Sequence, residues 1–156
     1  MQQPDSLNQV KEFHTTFQHP VLSSPEIPDE KRCKLRVELI AEELKELEEA
    51  IKDKDLIEVA DALCDIQYVL SGAILEFGLG DKFKELFDEV QRSNMSKACE
   101  TEEEAKATVA YYEKDKGTPC YFKEVDGKFL VFRTSDDKTL KSINYSPADL
   151  TNILNK

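Results

Sequence analysis

Apolar residues at helical spacing open the chain: Leu7, Val10, Phe13 and Phe17 predict a helix over about Asp5 to Gln18. The segment HPVLSSPEIP, with three prolines, ends it. A long second helix is expected from Asp29, placed to cap it behind Pro28, to about Lys52, where DKD marks a turn. A third follows to about Phe77, stopped by Gly78 and Gly80, and Asp81 is placed to cap a fourth through Val90 to about Ser93. Thr101 with Glu104 forms a capping box for a fifth, running through Tyr111 and Tyr112.

After Gly117 the period changes. PCYFKEV, then Asp126-Gly127, then KFLVFRT predict a β-hairpin, small and peripheral. Ser146 before Pro147, with Asp149 three residues on, is placed to cap a short last helix ending in Ile153 and Leu154. The expected fold is mainly α: an antiparallel helical bundle with a small C-terminal hairpin and a short last helix. One domain over 1–156 is expected, with its helical core at about 5–115 and the hairpin and terminal helix at about 118–156.

The third helix carries an anomaly. From Asp55 to Asp81 there is no lysine or arginine, yet Glu58, Asp61 and Asp65 sit in the run LIEVADALCDIQYVLSGAILEFGL. At about 3.6 residues per turn they share one narrow stripe, while Val59, Leu63, Ile66, Leu70 and Ile74 cover much of the rest. A helix apolar nearly all round is expected to be buried. Buried carboxylates cost several kcal/mol each unless a positive charge meets them, and a bound metal would supply it.

Composition narrows the function classes. In 156 residues, 32 acidic side chains against 21 basic ones give a net charge of −11, which argues against nucleic acid or an anionic membrane as partner. An anionic substrate would need bridging cations. Cys33, Cys64, Cys99 and Cys120 form no CxxC pair, so they read as reduced thiols in a cytoplasmic protein. MQQPDSLNQVKEF lacks the features of a signal peptide, and the Leu56 to Leu79 stretch holds too many acids for a membrane span.

On the second helix Val37, Ile40, Leu44, Leu47 and Ile51 line one side and Glu38, Glu42, Glu46 and Glu49 the other. For Glu38, Glu48 and Glu49 a solvated face is the expected role. Leu35 and Leu39 share the Glu42/Glu46 side, so that side is not expected to be wholly wet. If EELKE faces EVADALCD, then Glu42, Glu43, Glu46, Glu58 and Asp61 would converge as an oxygen-rich cage suited to magnesium or manganese. The two histidines, His14 and His19, lie off the acidic helices, which argues against a di-iron site. An EF-hand would need its acids in a loop, and no P-loop is present.

EELKE followed by Glu58-Val59-Ala60-Asp61 resembles the EExxE and ExxD motif of the all-α nucleoside triphosphate pyrophosphohydrolases, the MazG-like superfamily. ADALCDIQYVLSGAILEFGL, QRSNMSK and KSINYSPADL resemble its phosphoribosyl-ATP pyrophosphohydrolase-like branch. The resemblance covers most of the chain, although the hairpin and last helix lie outside the minimal core. It implies a homodimer or homotetramer that hydrolyses a nucleoside triphosphate between the α- and β-phosphates, with magnesium as cofactor and manganese as a substitute. It further implies Glu43, Glu46, Glu58 and Asp61 as metal ligands, with Glu42 a ligand or the group that orients attacking water. Glu42, Glu43 and Glu46 form the implied catalytic set. Asn94 and Lys97 are implied phosphate contacts. Asp65 lies outside the core motif and stands open between a supporting acid and a substrate contact.

Phe13, Phe17 and Tyr68 are able to stack on a base or simply to form core, and His14 reads as a surface or packing residue. Two alternatives remain: phosphoribosyl-ATP as substrate, or a non-catalytic helical module whose acids fix helix pairing or hold a structural ion.

Overall fold

The computed structural model describes Gln2 and residues 4–155. The element order is α1 (Ser6–Thr16), α2 (Glu30–Asp53), α3 (Leu56–Glu76), α4 (Phe83–Met95), α5 (Glu102–Lys116), β1 (Cys120–Val125), β2 (Lys128–Arg133) and α6 (Thr151–Leu154). The chain is mainly helical, with one small antiparallel sheet and a short final helix. It divides into two compact units, Met1–Phe83 and Lys84–Lys156.

In the first unit α2 and α3 form a helical hairpin with α1 packed on α3. Asp29 accepts the Arg32 N–H at 3.0 Å and caps α2 as the sequence predicts. Lys54, left-handed at φ 59°, ends that helix, and Asp55 at once caps the next by accepting from Ile57 and Glu58 N–H. A link this short turns α3 back along α2, so the start of α2 meets the end of α3.

The prolines between α1 and α2 hold the segment extended against the end of α3. Leu22 N–H donates to Leu75 O at 3.0 Å and Glu26 N–H to Phe77 O at 3.2 Å. Gly78 completes this junction: its φ is +66°, and a Cβ there would lie 1.8 Å from Ser24 O. Both the backbone conformation and the close approach demand glycine. Gly78→Ala is therefore expected to destabilise the first unit by more than about 1 kcal/mol, read as a lower urea midpoint at unchanged slope.

The third helix departs from its expected burial. Its last six residues, Ser71 to Glu76, are mostly interior, but Leu56 is 78% exposed, Ile57 79% and Leu63 51%. Glu58 and Asp61 are exposed as well. The apolar character of its first half therefore does not put these acids in an interior within one chain, and their burial cost does not arise there.

In the second unit the hairpin is built as predicted. Asp126 and Gly127 both have positive φ, 50° and 76°, and Val125 pairs with Lys128 across the turn. It is not peripheral, because Cys120 and Val131 enter a core with Cys99, Ala105 and Leu140, against which Val109, Tyr112, Phe122 and Phe129 pack. Thr101 accepts the Glu104 N–H at 3.1 Å, while Glu104 reaches back to the Glu100 N–H at 3.0 Å. All four cysteines are free thiols.

Ser146 does not cap the last helix. Its N–H donates to Ser96 Oγ at 2.9 Å and its hydroxyl accepts from Arg92 at 3.0 Å, so α6 starts only at Thr151. Among the described residues no helix is long and apolar enough to cross a membrane.

Candidate functional site

The most buried carboxylate of the chain's apolar run is Glu76, at 1% exposure. It sits at the end of α3 and is met by Arg32 and Arg36 from the start of α2, both of which donate to Glu76 Oε1 while Arg32 Nε donates to Oε2 at 3.0 Å. Burial alone would raise the Glu76 carboxyl, but the guanidinium hydrogen bonds prevail and hold it below the usual carboxylate range. The cation absent from the α3 sequence is thus supplied by its neighbour. Arg36, itself 7% exposed, brings its Nη2 to 3.4 Å from His14 Nε2. His14 Nδ1 lies 2.9 Å from Pro20 O, which only accepts, so Nδ1 carries the ring proton. Burial pushes His14 below its ordinary value and keeps the ring neutral near pH 7. His14 is a buried packing residue, not a surface one.

This cluster was not singled out by sequence reasoning. A signal existed: Glu76 and the Arg32/Arg36 pair lie at comparable distances either side of the Lys54 turn, which brings them together once the hairpin closes.

Above it opens a cavity of about 330 Å³ lined by Phe13, His19, Arg36, Glu43, Asp65 and Tyr68, among others. Phe13 stands edge-on to Tyr68, with ring centroids 5.6 Å apart, and stacks on His19 at 5.8 Å. Glu43 and Asp65 therefore share a cavity with the aromatic residues considered for base stacking, except Phe17, which packs on Phe13 at 4.5 Å.

Glu43 is held above the ordinary carboxylate range, first by desolvation and then by the charges of Asp65, Glu46, Glu42 and Asp61. Arg32 and Arg36 border the same cavity, committed to Glu76. A second depression, of about 350 Å³, is lined by Glu46, Glu49, Asp53, Asp55 and Glu58. The structure therefore groups the predicted acids along one face of the hairpin but distributes them: Glu43 with Asp65 and Tyr68, and Glu46 with Glu58. Among the described residues no three His, Cys, Asp or Glu side chains are grouped closely enough to hold a metal ion. The donor chemistry, carboxylate oxygen throughout, fits a hard dication that retains waters and substrate oxygens in its shell. Glu38 and Glu49 are exposed and lie near Lys34 and Lys45, at 3.6 and 3.5 Å, as solvated helix pairs do.

Asn94 and Lys97 lie in the second unit. Lys97 Nζ donates to Asn94 Oδ1 at 2.8 Å. Arg92 pairs with Glu89, whose carboxyl is pulled down to about 2 by that bond, and serves to tie down Ser146 and Pro147.

The model of the phosphoribosyl-ATP pyrophosphohydrolase family matches residues 10–94, more than half of the chain. The chain belongs to that family. The matched residues contain EELKE, Glu58, Asp61, the Glu76 cluster and the aromatic cavity. The family supports a hydrolase of pyrophosphohydrolase type. A protein of Acanthamoeba polyphaga mimivirus, described as uncharacterized, is 36% identical over 92 residues; the match spans 56% of this chain and 37% of that protein. The chain thus covers little more than a third of that relative's length.

Proposed function

We propose that this protein hydrolyses a nucleoside triphosphate, a deoxynucleotide such as dUTP or a modified nucleotide included, between the α- and β-phosphates, giving a nucleoside monophosphate and pyrophosphate. The observation that carries the reading is the Glu43 carboxylate, raised by burial and by the charges of Asp65, Glu46, Glu42 and Asp61, at the wall of a cavity with aromatic lining. Phe13 and Tyr68 offer ring faces for a base, and the acidic face offers oxygens for the cation that accompanies a triphosphate. Glu43, Glu46, Glu58 and Asp61 would hold magnesium, or manganese in its place. When bound, that ion supplies neutralisation of the phosphate charge and polarises the phosphoryl oxygens. Glu42, exposed beside this set, orients water or adds a ligand, and a carboxylate of the set takes the proton that attacking water releases. Asp65 borders the aromatic cavity and is read as a substrate contact, and Lys97 with Asn94 as phosphate contacts.

The exposed Val37, Leu44 and Ile51 of α2, seven residues apart in turn, and Leu56 and Leu63 of α3 form apolar ridges on the outside of the hairpin. A second copy of the chain would cover them, consistent with a homodimer or homotetramer. No nucleic acid or membrane is proposed as partner. The family's name makes phosphoribosyl-ATP the competing substrate, because carboxylates that handle phosphates do not distinguish bases.

Steady-state kinetics over a nucleotide panel test this reading. Turnover should require magnesium or manganese and vanish with chelator, and Tyr68→Ala should raise KM about tenfold or more with a smaller change in kcat, as lost stacking does. Binding of a dication without turnover of any nucleotide would favour the non-catalytic module instead.

A further inference from the structure

Beside the acids Glu43 and Asp65, the aromatic cavity is bordered by a cluster of opposite charge. Two guanidinium groups, Arg32 and Arg36, meet the single Glu76 carboxylate there, and burial keeps the adjacent His14 neutral, so the cluster retains one positive charge. Arg36 is the deeper of the two, its side chain 8% exposed against 24% for Arg32. All side-chain hydrogen bonds of Arg36 use Nη2, which donates to Glu76 Oε1 and lies 3.4 Å from His14 Nε2. Its Nε is buried without an acceptor among the described residues. Nη1 has no acceptor among them either, yet it is not sealed from solvent. It lies over Gly72, where a Cβ would come within 2.7 Å of it, so the lack of a side chain at that position is what admits the guanidinium.

Uncommitted donors on a buried cation cost stability until an acceptor meets them. A guanidinium only donates, so the group that meets it must accept. The rest of the cavity wall includes Phe13, His19 and Tyr68 with the apolar Val10, Leu39 and Val69, a lining that suits a flat ring better than a phosphate. We propose that Arg36 is a specificity-determining residue that donates to a carbonyl oxygen of the nucleobase, so that the site takes oxo bases such as uracil or hypoxanthine over their amino counterparts, cytosine and adenine. An exocyclic amine in place of the oxygen would set donor against donor. The inference rests on the reading of this cavity as the base site, and it counts against phosphoribosyl-ATP, an adenine nucleotide.

Calorimetric titration of the full chain in dication-free buffer tests this independently of turnover, with the monophosphates of deoxyuridine, deoxycytidine, deoxyinosine and deoxyadenosine as ligands. In whichever pair the cavity accepts by ring size, the oxo ligand is expected to bind about tenfold tighter than its amino counterpart, the discrimination of one hydrogen bond from a charged donor. Arg36→Lys keeps a charge for Glu76 but removes the free guanidinium donors, and should bring that ratio to about one. Tyr68→Ala should weaken both members of a pair alike, because stacking does not read the edge of the base. If Arg36→Lys does not fold, the ratio in the natural chain still decides. A ratio under about threefold in both pairs, tighter binding of either amino ligand, no binding of any of the four, or a ratio unchanged in folded Arg36→Lys overturns the proposal. Cleavage of triphosphates without this preference sinks the inference alone, whereas the preference in binding without cleavage of any triphosphate sinks only the hydrolase reading.

Discussion

Glu76→Ala is expected to destabilise the protein by about 3–5 kcal/mol, the largest stability effect of any single change in the first unit. The magnitude comes from what the substitution leaves behind: Arg36 buried and Arg32 half-buried, both positive, with no counter-charge and with a cavity where the carboxylate was. Gly72 sharpens the constraint, because a Cβ there would lie 2.7 Å from Arg36 Nη1 and 3.0 Å from His14 Nε2, so the guanidinium has little room to find another partner. The same pair gives stability a pH dependence. The carboxyl is lower in the folded chain than unfolded, so its contribution is complete above the ordinary glutamate range, about 4.3, and is lost as pH falls below that through the depressed native value. Urea unfolding of Glu76→Ala at pH 7 and of the natural chain from pH 7 to 3 measures both. A shift in stability below about 1 kcal/mol would show that the arginines reach solvent or another acid without cost.

The second large effect falls on activity and leaves stability alone. Glu46→Ala and Asp61→Ala are expected to lower turnover by a hundredfold or more, on the order of what one positioned acid–base group contributes. Both residues are exposed and both act on Glu43 as like charges. Their removal should therefore leave the thermal midpoint unchanged in chelator, or raise it slightly as repulsion is relieved. Loss of activity with an unchanged fold separates a chemical role from the helix-pairing role of the non-catalytic reading. Full activity in both variants would remove these acids from the mechanism.

The two effects place two kinds of carboxylate on one helix, and the sequence distinguishes them poorly. Glu58, Asp61 and Asp65 drew attention because they interrupt an apolar run, yet Glu58 and Asp61 are exposed in the single chain, and the acid that does incur the burial cost is Glu76, at the end of the same run. Helical periodicity reports which residues share a face. It does not report what covers the face, so Leu56, Ile57 and Leu63 read as core although within one chain they meet solvent. The Arg32, Arg36 and Glu76 contact is long-range and becomes visible only after the Lys54 turn is used to fold the two helices together.

Local chemistry was read more reliably than burial. The Asp29 cap, the Asp126-Gly127 turn and the Thr101 cap all act through a few neighbouring atoms, and all appear as the residues dictate. Ser146 failed as a cap for a physical reason: Arg92 and Ser96, distant in sequence, compete for the same hydroxyl and amide. The hairpin's part in the core was likewise hidden, because Cys120 and Val131 only become interior when α5 lies against them. At the site, EELKE and Glu58 with Asp61 were legible as a motif, while the aromatic cavity required α1 to bring Phe13 to Tyr68.

Product identification decides the central claim most directly. The purified protein is incubated with magnesium and each nucleoside triphosphate of a panel, and the phosphorus-containing products are resolved by ³¹P NMR. Nucleoside monophosphate and pyrophosphate in equal amounts are predicted for at least one substrate. Orthophosphate with nucleoside diphosphate, or no product from any nucleotide with magnesium or manganese, would contradict the account.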